Sequence, residues 1–234
     1  MDIKIIYEDN DLLVVDKPAG IVVFSEGQTK ENTLIDALIE KYPELKSVEK
    51  APRYGIVHRL DKDTSGVLLV AKTAESLIFL QKQFKNRRVE KKYICLVIGN
   101  IKDDFGKIET LIGRSQSDKK KQKVYLAGQP GAENKREAIS EYKVLERFKD
   151  YALLEVQLKT GRRHQIRCHL AYLQHPIAGD KMYGFKNSPA PNGLTRQFLH
   201  ASYLKIELPD REIKEFESDL PKELKQILKN LKII

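Results

Sequence analysis

The sequence predicts an α+β fold built on a mixed, mostly antiparallel central sheet that is flanked by helices and loops. Two observations predict it: helical and strand-like patterns are mixed along the chain, and the strand-like runs are many and short. No internal repeat, long linker or low-complexity tract divides the 234 residues. We therefore expect one domain over 1–234, in which residues 210–234 form a strand end and a helix that close it.

The strands are predicted from apolar runs and from the polar turns between them. The run at 67–71 is continuously apolar, which is typical of a strand buried on both faces. Between 106 and 158 we expect three or four strands, interrupted by a Lys-rich stretch at 114–123 and a polar stretch at 128–134. The other predicted strands are 3–7, 12–16, 21–23, 92–98 and 199–208.

Four segments carry apolar residues at the three- and four-residue spacing of a helix. In the segment 74–85, Leu77, Leu80 and Phe84 define the buried face. In the segment 163–173, that face is formed by Ile166, Leu170 and Leu173. A loop rich in Gly, Pro and Asn follows the third segment at 179–197. The predicted helices are 33–41, 74–85, 163–173 and 221–231.

The charge of the chain points to a polyanionic partner. Lys and Arg number 42 against 33 Asp and Glu, a net charge of +9, which suits either nucleic acid or an acidic membrane face. The excess gathers in three clusters next to predicted elements, as expected of a folded surface. They are Lys85, Arg87, Arg88, Lys91 and Lys92; Arg114, Lys119, Lys120, Lys121 and Lys123; and Arg162, Arg163, His164 and Arg167.

Several classes of protein are excluded by what the sequence lacks. With only Cys95 and Cys168, far apart, it fits neither a disulfide scaffold nor a Cys-rich zinc module, and it suits a reducing cytoplasm. No apolar run is long enough to span a bilayer. Phosphate-loop, dinucleotide-binding and nucleophile-elbow motifs are missing. His164 and His169 are five apart, a poor spacing for a helical zinc pair, so we expect no metal and no cofactor.

Asp61 is the most informative carboxylate, because it lies between two apolar runs where a charge must be paired or hydrogen-bonded. Its local sequence favours a plainer role, in which it caps the turn through Thr64, Ser65 and Gly66.

Arg167 and Tyr93 are the other two residues that the pattern singles out. Arg167 is about 100° from Ile166 on the predicted helix, at the edge of its buried stripe, where a guanidinium calls for a carboxylate. The alternative is an arginine whose stem covers apolar surface while its head stays in water. Tyr93 follows Lys91 and Lys92 directly and could stack a base beside two phosphate-seeking charges, or serve only in packing.

Residues 55–73, which read GIVHRLDKDTSGVLLVAKT, resemble the HRLDxxTSG motif of the RluA-type RNA pseudouridine synthases. Five other segments agree with that family in order and spacing, so the resemblance covers essentially the whole chain. They are DKPAG at 16–20, KKY at 91–93, TGRRHQIR at 160–167, HPIAGD at 175–180 and LHA at 199–201.

The resemblance implies the pseudouridine synthase fold, an active-site cleft across the sheet, and a cofactor-free isomerase that acts on uridines in structured RNA. Asp61 would be the catalytic aspartate, and Arg167 would pair with it and hold it ionised. Arg59 would enter the RNA stack in place of the flipped uridine, on whose uracil Tyr93 would stack. Further RNA contacts are expected from Lys91, Lys92, Lys119, Lys120, Lys121, Arg162, Arg163 and His164.

The substrate is less defined than the reaction. Many relatives carry an RNA-binding S4 domain before the catalytic domain, whereas this chain starts at the first catalytic strand. Both ribosomal and transfer RNA are possible substrates, and residues 194–198 only mildly suggest the branch that modifies ribosomal RNA. We expect a cytoplasmic monomer.

Two other functions are compatible with parts of the pattern. A noncatalytic RNA-binding or ribosome-assembly protein would use the basic clusters alone, but it would not require an aspartate among phosphate-seeking arginines. A glycosidase-like hydrolase would use Asp61 and Asp63 as paired carboxylates, which requires an extended path that the turn residues after them disfavour.

Overall fold

The computed structural model describes residues 3–25 and 32–232, which contain ten strands and four α-helices. The helices are α1 Leu34–Lys41, α2 Ala74–Lys85, α3 Gln165–Tyr172 and α4 Lys222–Leu231. The strands are β1 Lys4–Glu8, β2 Leu12–Lys17, β3 Ser65–Ala71, β4 Glu90–Ile98, β5 Phe105–Arg114, β6 Gln122–Tyr125, β7 Arg136–Arg147, β8 Tyr151–Leu158, β9 Leu199–Glu207 and β10 Ile213–Glu217.

The chain divides into two compact units. The first contains Met1–Lys91 and His200–Leu220, and the second contains Lys92–Leu199 and Pro221–Ile234. The expectation of one domain over 1–234 stays a prediction. Among the described residues, no helix is both long enough and apolar enough to cross a membrane.

In the first unit, β2 pairs antiparallel with β1 and with β3, and β10 pairs antiparallel with β9. The short pairing of β3 with β9 is parallel, and it joins Ser65 to His200 and Gly66 to Ala201. Gly66 has a φ of 118°, and a Cβ there would collide with the carbonyl of Ala201. Only glycine therefore fits at the start of this fully buried strand.

The second unit carries the strand order β4-β8-β7-β5-β6, with antiparallel neighbours throughout. Helix α3 contacts β6 and β7, and it is buried from Gln165 to Leu170. Its place beside the β5–β6 hairpin brings the residues that precede α3 close to that hairpin.

The predicted fold class is confirmed: the strands are mixed and mostly antiparallel. The segment 106–158 forms four strands, the upper of the two numbers expected. The strand predicted at 21–23 is wrong. There the carbonyls of Val22 and Val23 accept hydrogen bonds from Leu34 and Ile35, which are the first amides of α1, instead of pairing with a neighbouring strand.

Candidate active site

A buried lysine holds the turn that carries Asp61 in place. Lys17, the last residue of β2, has no exposed surface. Its ammonium donates to three main-chain carbonyls, those of Pro18 at 2.8 Å, Lys62 at 2.9 Å and Thr64 at 2.9 Å. These bonds compensate a desolvated charge and fix the path of the chain on either side of Asp63.

Asp61 itself is half-buried at the start of this turn. The turn is closed by a main-chain bond of 3.1 Å from the amide of Thr64 to the carbonyl of Asp61. A second main-chain bond, 2.9 Å from Gly20 to the carbonyl of Lys62, ties the turn to the segment after β2. Residues 61–64 therefore form a fixed turn and not an extended strand, as the turn residues predicted.

A chain of polar side chains fixes the start of β3, directly after this turn. The Ser65 hydroxyl lies 3.0 Å from Nδ1 of the fully buried His200, whose Nε2 lies 2.8 Å from the carbonyl of Ser218. Because that carbonyl can only accept, Nε2 carries the proton and Nδ1 accepts from Ser65. The Ser218 hydroxyl donates to Asp16 at 2.8 Å, which extends the chain to β2.

His58 and Lys91 both lie close to the ring of Phe84. The His58 imidazole stacks on that ring at 4.7 Å, and its Nε2 accepts from the amide of Leu69 at 3.2 Å. Burial, with a further contribution from the charge of Lys91, lowers the pKa of His58 to about 3. The Lys91 ammonium lies 5.4 Å from the ring centroid, and burial lowers its pKa to about 8. His58 is therefore a neutral packing residue of this unit at neutral pH.

Arg59 lies against Phe24, with its guanidinium 5.2 Å from the ring centroid. Arg53 lies over the same ring at 5.2 Å. Phe24 is buried, whereas both arginines are exposed residues. Arg59, which is expected to enter the RNA stack, thus shares the ring of Phe24 with a second exposed arginine. Sequence reasoning missed this pair.

Arg167 is buried and makes a two-pronged ion pair with Asp180. Its Nε donates to one carboxylate oxygen at 2.7 Å, and its Nη2 donates to the other at 2.9 Å. The amides of Met182 and Tyr183 donate to the same carboxylate at 2.9 Å and 3.0 Å. Burial alone would raise the pKa of Asp180, but Arg167 and the two amides hold it below its usual range.

Of the two alternatives that the sequence leaves open for Arg167, the structure shows the one with a carboxylate partner, which is Asp180. Asp180 lies in the HPIAGD segment, whose sequence pattern indicates no role for it. The pairing of Arg167 with Asp61 stays a prediction. A guanidinium has five N–H donors, so the bond to Asp180 is compatible with a second carboxylate.

A buried polar network anchors the helix that carries Arg167. The His169 Nε2 lies 3.0 Å from Thr110, and its Nδ1 lies 2.9 Å from Ser140. Gln165 donates to Ser140 at 3.0 Å and accepts from Thr160 at 2.8 Å. Burial lowers the pKa of His169 to about 4, so this histidine is neutral and structural at pH 7.

The expected site residues are distributed over both units. Arg59, Asp61 and Lys91 belong to the first unit, and the others belong to the second. Tyr93 is buried on β4 and pairs in register with Val156 of β8. Lys119, Lys120 and Arg163 are exposed, and four others are half-buried. These four are Lys92, Lys121, Arg162 and His164.

Comparison with known proteins identifies similar chains. A family model described as RNA pseudouridylate synthase matches residues 11–172. An uncharacterised RNA pseudouridine synthase of Bacillus subtilis is 41% identical over 233 residues, which are 99% of this chain and 74% of that protein. The ribosomal large subunit pseudouridine synthase D of Nitrosomonas europaea is 40% identical over 98% of this chain and 65% of that protein.

The fold also has a close counterpart among solved structures. Human RNA pseudouridylate synthase domain containing 4 superimposes with a TM-score of 0.76 at 27% sequence identity. The match covers 98% of this chain and 93% of the human one.

Proposed function

The chain belongs to the RNA pseudouridylate synthase family and is an RNA pseudouridine synthase, and from this premise we propose that Asp61 is its nucleophile and ribosomal RNA its substrate. The observation that carries the first part is the turn at 61–64, which the buried Lys17 holds through the carbonyls of Lys62 and Thr64. A reacting carboxylate needs a fixed position of this kind, because a small misplacement slows the reaction strongly.

The reaction sets the demands on the site. The bond between uracil N1 and ribose C1′ breaks, the base rotates, and a bond from C5 to C1′ replaces it. The C5 proton is then lost and N1 regains one, so the product is an isomer and no oxidant or water is consumed. The base must leave the RNA stack for this to happen. A carboxylate nucleophile divides the difficult step into two easier ones.

The remaining expected residues have roles that follow from their chemistry. We propose that Arg167 holds Asp61 ionised, since a guanidinium can serve two carboxylates and Asp180 fixes its plane. Tyr93 would stack on the extruded uracil. Arg59, an exposed guanidinium on the ring of Phe24, would fill the gap that the uridine leaves.

Ribosomal RNA is favoured over transfer RNA by the relatives. The protein of Nitrosomonas europaea and those of Yersinia pestis and Pseudomonas aeruginosa are all named ribosomal large subunit pseudouridine synthase D. The last two are 35% and 38% identical to this chain. We therefore propose the large-subunit RNA as the substrate, with transfer RNA as the alternative.

Site-by-site pseudouridine mapping tests this proposal. Total RNA is compared between cells with the gene, cells without it, and deleted cells complemented by wild type, Asp61→Asn or Asp63→Asn. We expect one or more large-subunit signals to be lost on deletion and restored by wild type and Asp63→Asn, but not by Asp61→Asn. A signal restored by Asp61→Asn would refute the nucleophile. Loss confined to transfer RNA would refute the substrate, and abasic sites with free uracil would indicate the hydrolase.

A further inference from the structure

Two basic clusters of the second unit lie on separate segments of the chain. One is the Lys-rich turn, residues 115–121, which joins β5 to β6 and carries Lys119, Lys120 and Lys121. The other precedes and opens α3, and His164 is the residue directly before that helix. The sequence separation between them is more than 40 residues, so only the fold can join them.

The Lys-rich turn is a built structure. The Ser115 amide donates to the carbonyl of Lys121 at 3.0 Å, and the Lys121 amide donates to that of Asp118 at 3.0 Å. The Asp118 carboxylate accepts from the amide of Lys120 at 2.9 Å. Lys119 and Lys120 are therefore exposed on a hydrogen-bonded turn, which loses little freedom when it binds a phosphate.

Tyr183 connects this turn to the start of α3. Its hydroxyl accepts from the amide of Gln122, the residue that follows the turn, at 2.7 Å. The same oxygen lies 3.0 Å from Nδ1 of His164, to which the hydroxyl proton can donate. The Tyr183 ring meets the His164 ring edge-on at 5.7 Å and lies 5.1 Å from the guanidinium of Arg167.

The environment of Tyr183 holds it in this position. Its ring packs against the buried cluster of Ile112, Ala138 and Cys168, and its own amide donates to Asp180 at 3.0 Å. Burial raises the pKa of Tyr183 above its usual value, so the hydroxyl keeps its proton at physiological pH. His164 has a φ of 55°, a left-handed conformation that a non-glycine residue adopts at a cost, and the contact with Tyr183 accompanies it.

We propose that Tyr183 joins the Lys-rich turn and the residues before α3 into one surface that binds the phosphates of an RNA substrate. The inference rests on the proposed function in that RNA is the ligand. Tyr183 is a positioning residue: its hydroxyl sets the place of Gln122 and His164 and touches no reacting atom. It determines RNA affinity and leaves the rate of the bound complex unchanged.

Tyr183→Phe tests this, because it removes the hydroxyl and keeps the ring. Binding to an in vitro transcript of large-subunit ribosomal RNA is measured by filter retention, and turnover is measured in single-turnover assays at saturating RNA. RNA binding must then restore the positions that the hydroxyl held, and a hydrogen bond of about 1 kcal/mol corresponds to about a fivefold change. We therefore expect binding to weaken by up to about fivefold, with a rate within about twofold of wild type. Tyr42→Phe is the matched control, since its hydroxyl bonds to Glu8 in the first unit.

A double-variant comparison shows whether Tyr183 acts through the turn. In the background K119A/K120A/K121A, Tyr183→Phe should weaken binding by less than it does in the wild type, because one of the two clusters that it joins has lost its charges. Multiplicative losses would overturn the proposal. So would unchanged affinity in Tyr183→Phe, or a slower single-turnover rate with normal affinity, which would place the hydroxyl in the catalytic machinery.

Hydrogen exchange of the wild-type protein provides a readout that does not depend on a folded variant. Adding the transcript should slow amide exchange in residues 115–122 and 162–164 over the same RNA concentrations. Protection of only one segment would overturn the proposal. If wild type binds the transcript but makes no pseudouridine, the proposed function fails while the affinity and exchange comparisons still decide this inference.

Discussion

Lys17 of the first unit and Arg167 of the second are buried cations that are stabilised in different ways. Lys17 donates to three main-chain carbonyls around the turn that carries Asp61. Arg167 faces the carboxylate of Asp180 with two parallel hydrogen bonds. The lysine therefore fixes the shape of a turn, whereas the arginine is itself fixed in plane and direction. In the first unit the Lys17 ammonium fixes the backbone, and in the second the Asp180 carboxylate fixes the orientation of a buried charge.

The largest loss of stability is expected from Lys17→Met, which breaks the first arrangement. One buried carbonyl and two partly buried carbonyls lose a charged donor, and a hydrogen bond to a charged group contributes about 1.5–3 kcal/mol. We expect the free energy of unfolding to fall by at least about 3 kcal/mol in urea titrations. Lys4→Met is the control, since Lys4 is mostly exposed and lies 3.7 Å from Asp16, a type of pair worth little. A loss below about 1 kcal/mol in Lys17→Met would mean that water or rearrangement satisfies the turn.

Asp180→Asn breaks the second arrangement and should cost about 3 kcal/mol at pH 7, because it removes the carboxylate that makes both parallel bonds to the buried Arg167. The pKa of Asp180 is held below its usual range, so the pair stabilises the folded state above the unfolded-state pKa of about 3.9. That contribution is lost as the pH falls through the still lower folded-state pKa. The difference between wild type and Asp180→Asn should therefore be constant near neutrality and shrink below about pH 4. A difference that grows in acid would contradict this assignment.

Arg167→Lys sharpens the comparison, because it keeps the charge and removes the two-pronged geometry. We expect a loss of about 1–2 kcal/mol, smaller than in Asp180→Asn, since the point charge still meets the carboxylate. If the direction of the Arg167 guanidinium matters more than its charge, we expect a large loss of the single-turnover rate beside this modest loss of unfolding free energy. Urea titration and single-turnover assays on the same preparation measure both. Equal losses of unfolding free energy in Arg167→Lys and Asp180→Asn would show that the bidentate geometry, and not the charge, provides the whole stabilisation by this pair.

The smallest effect on stability is expected from the exposed lysines of the second unit. Changing Lys119, Lys120 and Lys121 to Ala should leave the free energy of unfolding within about 0.5 kcal/mol of wild type. RNA binding should weaken, and its log–log salt dependence should flatten by roughly 0.7–0.9 for each phosphate contact removed. Binding measured between low and moderate salt tests this. An unchanged slope would show that the Lys-rich turn is only a solvated loop.

Helices and strands could be predicted where their own apolar residues form the pattern that is typical of the element. Helix α2 at Ala74–Lys85 and the buried strand β3 follow from apolar spacing alone. The strand predicted at 21–23 failed because its carbonyls serve the amides of a helix about a dozen residues away, which periodicity does not reveal.

The partners within the site were harder to predict than the site residues. The place of Arg167 on the helix indicates a carboxylate as one of two alternatives, but which carboxylate it meets depends on the path of the loop after α3. The bond between Ser65 and His200 joins residues 135 positions apart. Likewise, nothing in the spacing of Gln122, His164 and Tyr183 indicates that one hydroxyl connects them. Contacts of this kind are set by tertiary packing, and only the structure reveals them.

The most direct test of the central claim is single-turnover pseudouridine formation by purified Asp61→Asn on the large-subunit RNA transcript, with RNA affinity measured in parallel. The account predicts that the variant folds and binds the transcript as wild type does and forms no detectable pseudouridine, while Asp63→Asn keeps its activity. Pseudouridine formation by Asp61→Asn at a rate near that of wild type would contradict the assignment of Asp61 as the nucleophile.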